Sequence, residues 1–199
     1  HDGVDLYELP SPETVKQMRF LAEAGPDLIV MHHSQKYSGY ETFKGVPIFY
    51  GLGNLLHLSD NEFDAIGLML SVTISKSLPL EIGLIPIKLN KAEMMVDLLA
   101  GQEKKTVLSE VEELSKIITS DLLLEQKWMQ FLQSKRLSYL FPLMGMNRIV
   151  YKILKKTSLL SVVDRMAKLK LYKLLPVLNI MRCSVHREAA IRILEDLYE

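Results

Sequence analysis

Apolar residues recur at two different periods along this chain, and the change of period divides it. Behind Ser11-Pro12-Glu13, Val15, Met18, Leu21 and Ala22 fall at helical spacing and stop at Gly25. Ser11 suits a cap, Pro12 the first helical position, Glu13 the positive dipole end and Gly25 the C-terminal stop. The apolar run Asp27 to Met31 predicts a buried strand, and Val46 to Tyr50 a second one. Between them His32 to Gly39 is polar and turn-rich, a loop leaving a strand end, and Gly51-Leu52-Gly53-Asn54 reads as a tight turn. Strand, helix and strand at these spacings predict an α/β layer. Ile66 to Ser75 and Leu80 to Leu89 read as strands joined by a hairpin link over Lys76-Ser77-Leu78-Pro79, with a third short strand over Met94 to Leu99.

After Gly101 the period becomes helical. Val107, Val111, Leu114, Ile117 and Ile118 form one stripe, and Asp121 opens another helix through Trp128, Phe131 and Leu132. From there to Glu199 the pattern predicts helices and turns, with breaks near Pro142, Gly145 and Pro176 and a soft boundary near Ser120. No internal repeat or low-complexity tract interrupts it.

Composition narrows the class. With 199 residues, 48% hydrophobic and 24% charged, this is an ordinary globular chain able to bury a core. One cysteine, Cys183, excludes an internal disulfide framework and a cysteine-rich zinc module. No signal-peptide pattern opens the sequence, and no stretch reaches the ~20 apolar residues of a membrane-spanning helix. The formal net charge of zero hides an asymmetry: residues 148–173 carry eight basic side chains and one acid, Asp164, a net +7 over 26 residues. That segment, interleaved with Ile149, Ile153, Leu160, Val163, Met166, Leu169 and Leu174, suits an anionic membrane surface or an anionic polymer, or else is the solvated face of a helical subdomain. Few aromatics and no recognition motif argue against nucleic acid.

Candidate chemistry lies in two histidine-bearing loops. His1-Asp2-Gly3-Val4-Asp5 opens the chain, and His33-Ser34-Gln35 follows the first strand. Side chains at i and i+2 of a loop can splay towards neighbouring metals, and ligands collect at the carboxyl ends of strands in open α/β sheets. Two imidazoles fall short of the three protein ligands that a catalytic metal usually needs. His32, His57 and His186 read as loop or packing residues, and the Gly51–Gly53 turn lacks the lysine of a phosphate-binding loop. Tyr37 and Tyr40 suit a pocket wall and loop packing equally.

HDGVDLYELPSP followed by DLIVMHHSQKYSGYETFKGVPIFYGLGN resembles the C-terminal half of the capsule-synthesis CapA family, also called the poly-γ-glutamate biosynthesis family, over roughly positions 1 to 90. That family is similar to calcineurin-like metallophosphoesterases. The resemblance implies an α/β chain of the α+β kind: the C-terminal part of a β-sandwich flanked by helices over residues 1–100, then a helical extension over 101–199. It implies His1 and His33 as metal ligands, with Gln35 where a second histidine of the pair is expected. Asp5 stands where the family has Glu, and Asn54 closes the Leu-Gly-Asn turn beside the site. The implied cofactors are two divalent ions of the Mn, Fe or Zn type in a full-length protein, with the site incomplete here. The resemblance identifies no catalytic residue. It implies a metal-dependent hydrolase or transferase acting on a phosphoester or anionic polymer in capsule synthesis, membrane-associated or in the bacterial cell envelope. The family's upstream half, with its aspartates and Asn-His pair, does not precede His1, so the chain alone is expected to be inactive. The other reading is a decayed, non-enzymatic partner in a membrane-associated synthesis complex, with Gln35 marking the decay.

Overall fold

A computed structural model describes residues 3–4, 6–55, 66–75, 80–90, 95–143, 153, 165 and 171–196. The fold is α+β, with helices at the C-terminal end, as the two periods predict. The hairpin link at 76–79 and the break at Gly145 lie outside the described residues. Two compact units divide the chain, His1–Met129 and Gln130–Glu199.

In the first unit, helix α1 (Pro12–Ala22) starts as its sequence requires: Ser11 Oγ accepts from Thr14 N at 3.0 Å. Strand β1 (Ile29–Val30) pairs in parallel with β3 (Val46–Phe49), and β2 (Tyr40–Phe43) pairs antiparallel with β3. The sequence pattern misses β2. Its signal is the Lys44-Gly45 turn, where both residues hold positive φ (49° and 87°), as a two-residue hairpin loop of the mirror-image type requires. A second sheet is wholly antiparallel, in the order β4 (Ile66–Thr73), β5 (Glu81–Asn90), β6 (Met95–Leu98). The two sheets meet where Leu68 N donates to Leu52 O at 2.7 Å.

Helix α2 (Gly101–Ile118) serves both sheets. Val107 and Val111 pack with Leu68 of β4 and with Leu99, which follows β6. Two turns beyond Val111, Ile118 joins Val15, Met31, Ile48 and Tyr50, together with Leu124 of helix α3 (Asp121–Leu143). The helix comes against the first sheet at Gly39: a Cβ there would lie 2.4 Å from Ser115 N and 2.7 Å from Leu114 C, so only glycine fits. Ser115 Oγ then accepts from Tyr40 N at 2.9 Å and donates to Val111 O at 2.7 Å.

A buried ion pair ties the remaining elements. Glu41 of β2, 6% exposed, accepts from Arg19 Nε at 3.0 Å, from Arg19 Nη2 at 2.9 Å and from the Tyr50 hydroxyl at 2.6 Å. Arg19 Nη1 also donates to Asp121 Oδ1 at 3.1 Å, which holds the start of α3 against α1.

In the second unit, α4 (Leu171–Arg182) and α5 (Ser184–Asp196) are in contact. The break expected near Pro176 does not occur, because α4 runs through it. Proline removes a single backbone bond, the one to the carbonyl four residues back, and the leucine-rich turns on either side sustain the helix.

Two substitutions test this arrangement. Gly39→Ala forces a methyl against the α2 backbone and is expected to lower the unfolding free energy by about 2–3 kcal/mol in urea titration. Arg19→Met removes the guanidinium from the buried Glu41 carboxylate and leaves it the Tyr50 hydroxyl, with an expected loss of about 3 kcal/mol.

Candidate functional site

The 32–39 loop leaves β1 and turns back into β2, and its conformation is strained at the two residues the sequence singles out. His33 holds φ 152° and Gln35 φ 61°, both in the region that favours glycine. His33 is exposed, Gln35 is half-buried, and Ser34 between them is buried. Such outliers persist only where the surroundings over-determine them.

Ser34 supplies that constraint. Its carbonyl accepts from Leu6 N at 2.7 Å, and its hydroxyl donates to Lys36 O at 3.0 Å. A Cβ on Gly3 would lie 3.5 Å from both Ser34 N and Ser34 Cβ, so the N-terminal turn rests on this residue. From the other side, a Cβ on Gly51 would lie 2.9 Å from Lys36 O and 3.2 Å from Ser34 Oγ. Ser38 completes the junction, donating its hydroxyl to Glu8 O at 2.6 Å and its N–H to Gly51 O at 3.0 Å. Three segments therefore meet at one buried serine: the 3–8 turn, the histidine loop and the Gly51–Asn54 turn. These are the segments whose motifs the sequence pairs.

His1 and Asp5 lie outside the described residues, as does His57. The backbone of their turn, at Gly3 and Leu6, is beside the His33 loop. Asn54 is present at the end of its turn with its Nδ2 buried and without a hydrogen-bond partner among the described residues. A buried amide N–H left unmatched is costly, and its chemistry suits an anionic or carbonyl oxygen rather than a cation. For a metal, the sequence-predicted donors among the described residues are the His33 imidazole and the Gln35 amide, and no group of three His, Cys, Asp or Glu gathers among those residues. That is one strong ligand and one weak one, below the three that hold a catalytic ion. The described donors fit a metal only as part of a larger set.

Beside the loop a cleft of about 890 Å³ opens towards α2, lined by Glu8, Lys36, Tyr37, Lys105, Glu110 and Glu113 among others. Tyr37 donates to Glu110, and Tyr40 to Glu112 at 2.8 Å, so both phenols tie the loop region to α2 and serve packing. The sequence does not single out the α2 carboxylates, because their register against the loop depends on the Gly39 contact.

Four phenols around the junction hold their protons more tightly than usual. Burial, then Glu8, pushes Tyr7 up to about 12. Burial and the bond to Glu110 raise Tyr37, the bond to Glu112 and burial raise Tyr40, and burial and the bond to Glu41 raise Tyr50.

Residues 1–59 match the family model described as "Bacterial capsule synthesis protein PGA_cap". The resemblance carried by the three motifs holds over that segment, which ends just past Asn54, and it associates the chain with capsule synthesis and the cell envelope. No curated protein and no solved structure matches the chain. No helix among the described residues is long and apolar enough to cross a membrane.

The raised phenols set an alkaline limit. In the unfolded chain they ionise near 10.0, whereas in the folded chain they stay protonated, so their stabilisation is complete below pH 10 and is lost as pH rises, Tyr7's share by about pH 12. Urea midpoints measured across this range are expected to fall above pH 10, and the fall should be shallower in Tyr50→Phe. An identical slope in that variant would contradict the assignment.

Proposed function

We propose that the first unit carries part of the metal-binding face of a hydrolase or transferase acting on a phosphoester or anionic polymer in capsule synthesis. One observation carries this reading: Gly3 and Leu6 of the N-terminal turn lie on Ser34, the residue between His33 and Gln35. On this reading His33 and His1 are ligands, Gln35 is a weaker one, and Asp5 adds a carboxylate. A divalent ion bound there would lower the pKa of a water and neutralise developing negative charge. The chain's own residues would do the rest. Asn54 would donate its buried N–H to an anionic oxygen of the substrate. The strained loop would hold the His33 ring in place before substrate arrives.

Gln35 favours a second reading, in which the site has lost an imidazole and the protein serves the synthesis complex without turnover. Calorimetric titration with Mn²⁺ or Zn²⁺ distinguishes the two. Weak binding is expected for the natural chain, loss of it in His33→Ala, and at least about tenfold tighter binding in Gln35→His. Affinity indifferent to both substitutions would remove the metal reading. Tighter binding in Gln35→His without gain of phosphoester hydrolysis by a full-length protein would favour the second.

A further inference from the structure

The charge of the second unit and its exposed side chains point the same way. From Arg148 to Arg187 there are ten basic residues and a single acid, Asp164, so these 40 residues carry +9. The whole chain is formally neutral, so the other 159 residues carry −9. A separation of that size creates a strongly positive local field.

The described helices of the unit present apolar side chains to solvent. On α4, Leu175 (48% exposed), Leu178 (39%), Ile180 (40%) and Met181 (49%) all reach solvent, on more than one side of the helix. Arg182 comes four residues after Leu178, one turn on along the same side. On α5, Ile191 (49%), Ile193 (63%) and Leu194 (57%) are exposed as well. Isolated exposed leucines need no explanation, but successive ones beside a basic tract do. Apolar side chains that enter the headgroup region, next to lysines and arginines that meet lipid phosphates, are how a helix lies in an anionic membrane surface without crossing it.

We propose that the second unit docks on anionic phospholipid: the excess basic charge of the 148–187 sequence is attracted to the headgroup phosphates, while exposed apolar side chains of α4 and α5, Leu175, Leu178, Met181, Ile193 and Leu194 among them, enter the outer acyl region. This is independent of the metal reading and of His33. Each lysine near an anionic surface supplies an attraction large enough for several-fold in partitioning, and each buried leucine adds a further, salt-insensitive part. The unit would therefore respond to both lipid charge and salt.

Sedimentation of the full chain with vesicles tests it. Phosphatidylglycerol–phosphatidylcholine vesicles should bind the protein at least about tenfold more tightly than pure phosphatidylcholine. Binding should weaken strongly at about 1 M salt, where the Debye length is ~3 Å. Replacing Lys152, Lys155 and Lys156 together by Gln should cost at least about tenfold on anionic vesicles. Leu175→Gln with Leu178→Gln should weaken what persists at high salt. Circular dichroism of the variants reports folding, and if a variant is misfolded the lipid and salt comparison on the natural chain decides alone. Equal binding to both vesicle types, or none to either, would overturn the proposal. So would capture by soluble polyglutamate with indifference to anionic vesicles, which would assign the tract to a polymer. Metal titration of the same samples should be unaffected by every one of these changes.

Discussion

The first unit depends on a backbone contact with no room for a side chain. At Gly39 the chain leaving the histidine loop passes α2 so closely that a methyl group would overlap the helix main chain. That approach lets Ser115 bond Tyr40 N, brings Tyr37 and Tyr40 within reach of Glu110 and Glu112, and sets α2 where it can bury Val107 and Val111 on one sheet and Ile118 on the other. Packing interiors tolerate little volume change, so a single position with no Cβ fixes the register of an 18-residue helix against two sheets. The cleft lined by Lys36 and Glu110 is a by-product of the same contact.

The second constraint is electrostatic. Glu41 is buried on β2 and is matched by the fork of Arg19 and the Tyr50 hydroxyl. Such a pair adds little net stability over an apolar replacement, but it penalises any register in which the partners separate. Because β2 is only four residues long, its ladder alone specifies register weakly. The Arg19–Glu41 pair ties it to α1, and through Asp121 to α3.

Local signals made most of this architecture legible in the sequence. The cap of α1, the alternating β5, the stripe of α2 and the order of the histidine and Leu-Gly-Asn motifs each depend on near neighbours. What stayed illegible depends on distant ones. β2 lacks strong alternation and becomes a strand because the Lys44-Gly45 turn folds it onto β3. Pro176 reads as a break, yet a single missing bond does not end α4. At the site, the motifs gave His33, Gln35 and Asn54 as members of one neighbourhood, and the structure brings their segments together at Ser34. The serine itself carried no sequence signal, since a buried hub whose role lies in its carbonyl and hydroxyl looks like any loop serine.

The positive φ angles at His33 and Gln35 set fold against the proposed metal chemistry at the same two positions. Glycine would relieve that backbone strain while deleting the donor atoms, so a library of variants ranked by thermal resistance alone would drift towards glycine there and discard the side chains that give the loop its interest. Engineering for robustness at this loop would have to score ligand capture alongside folding.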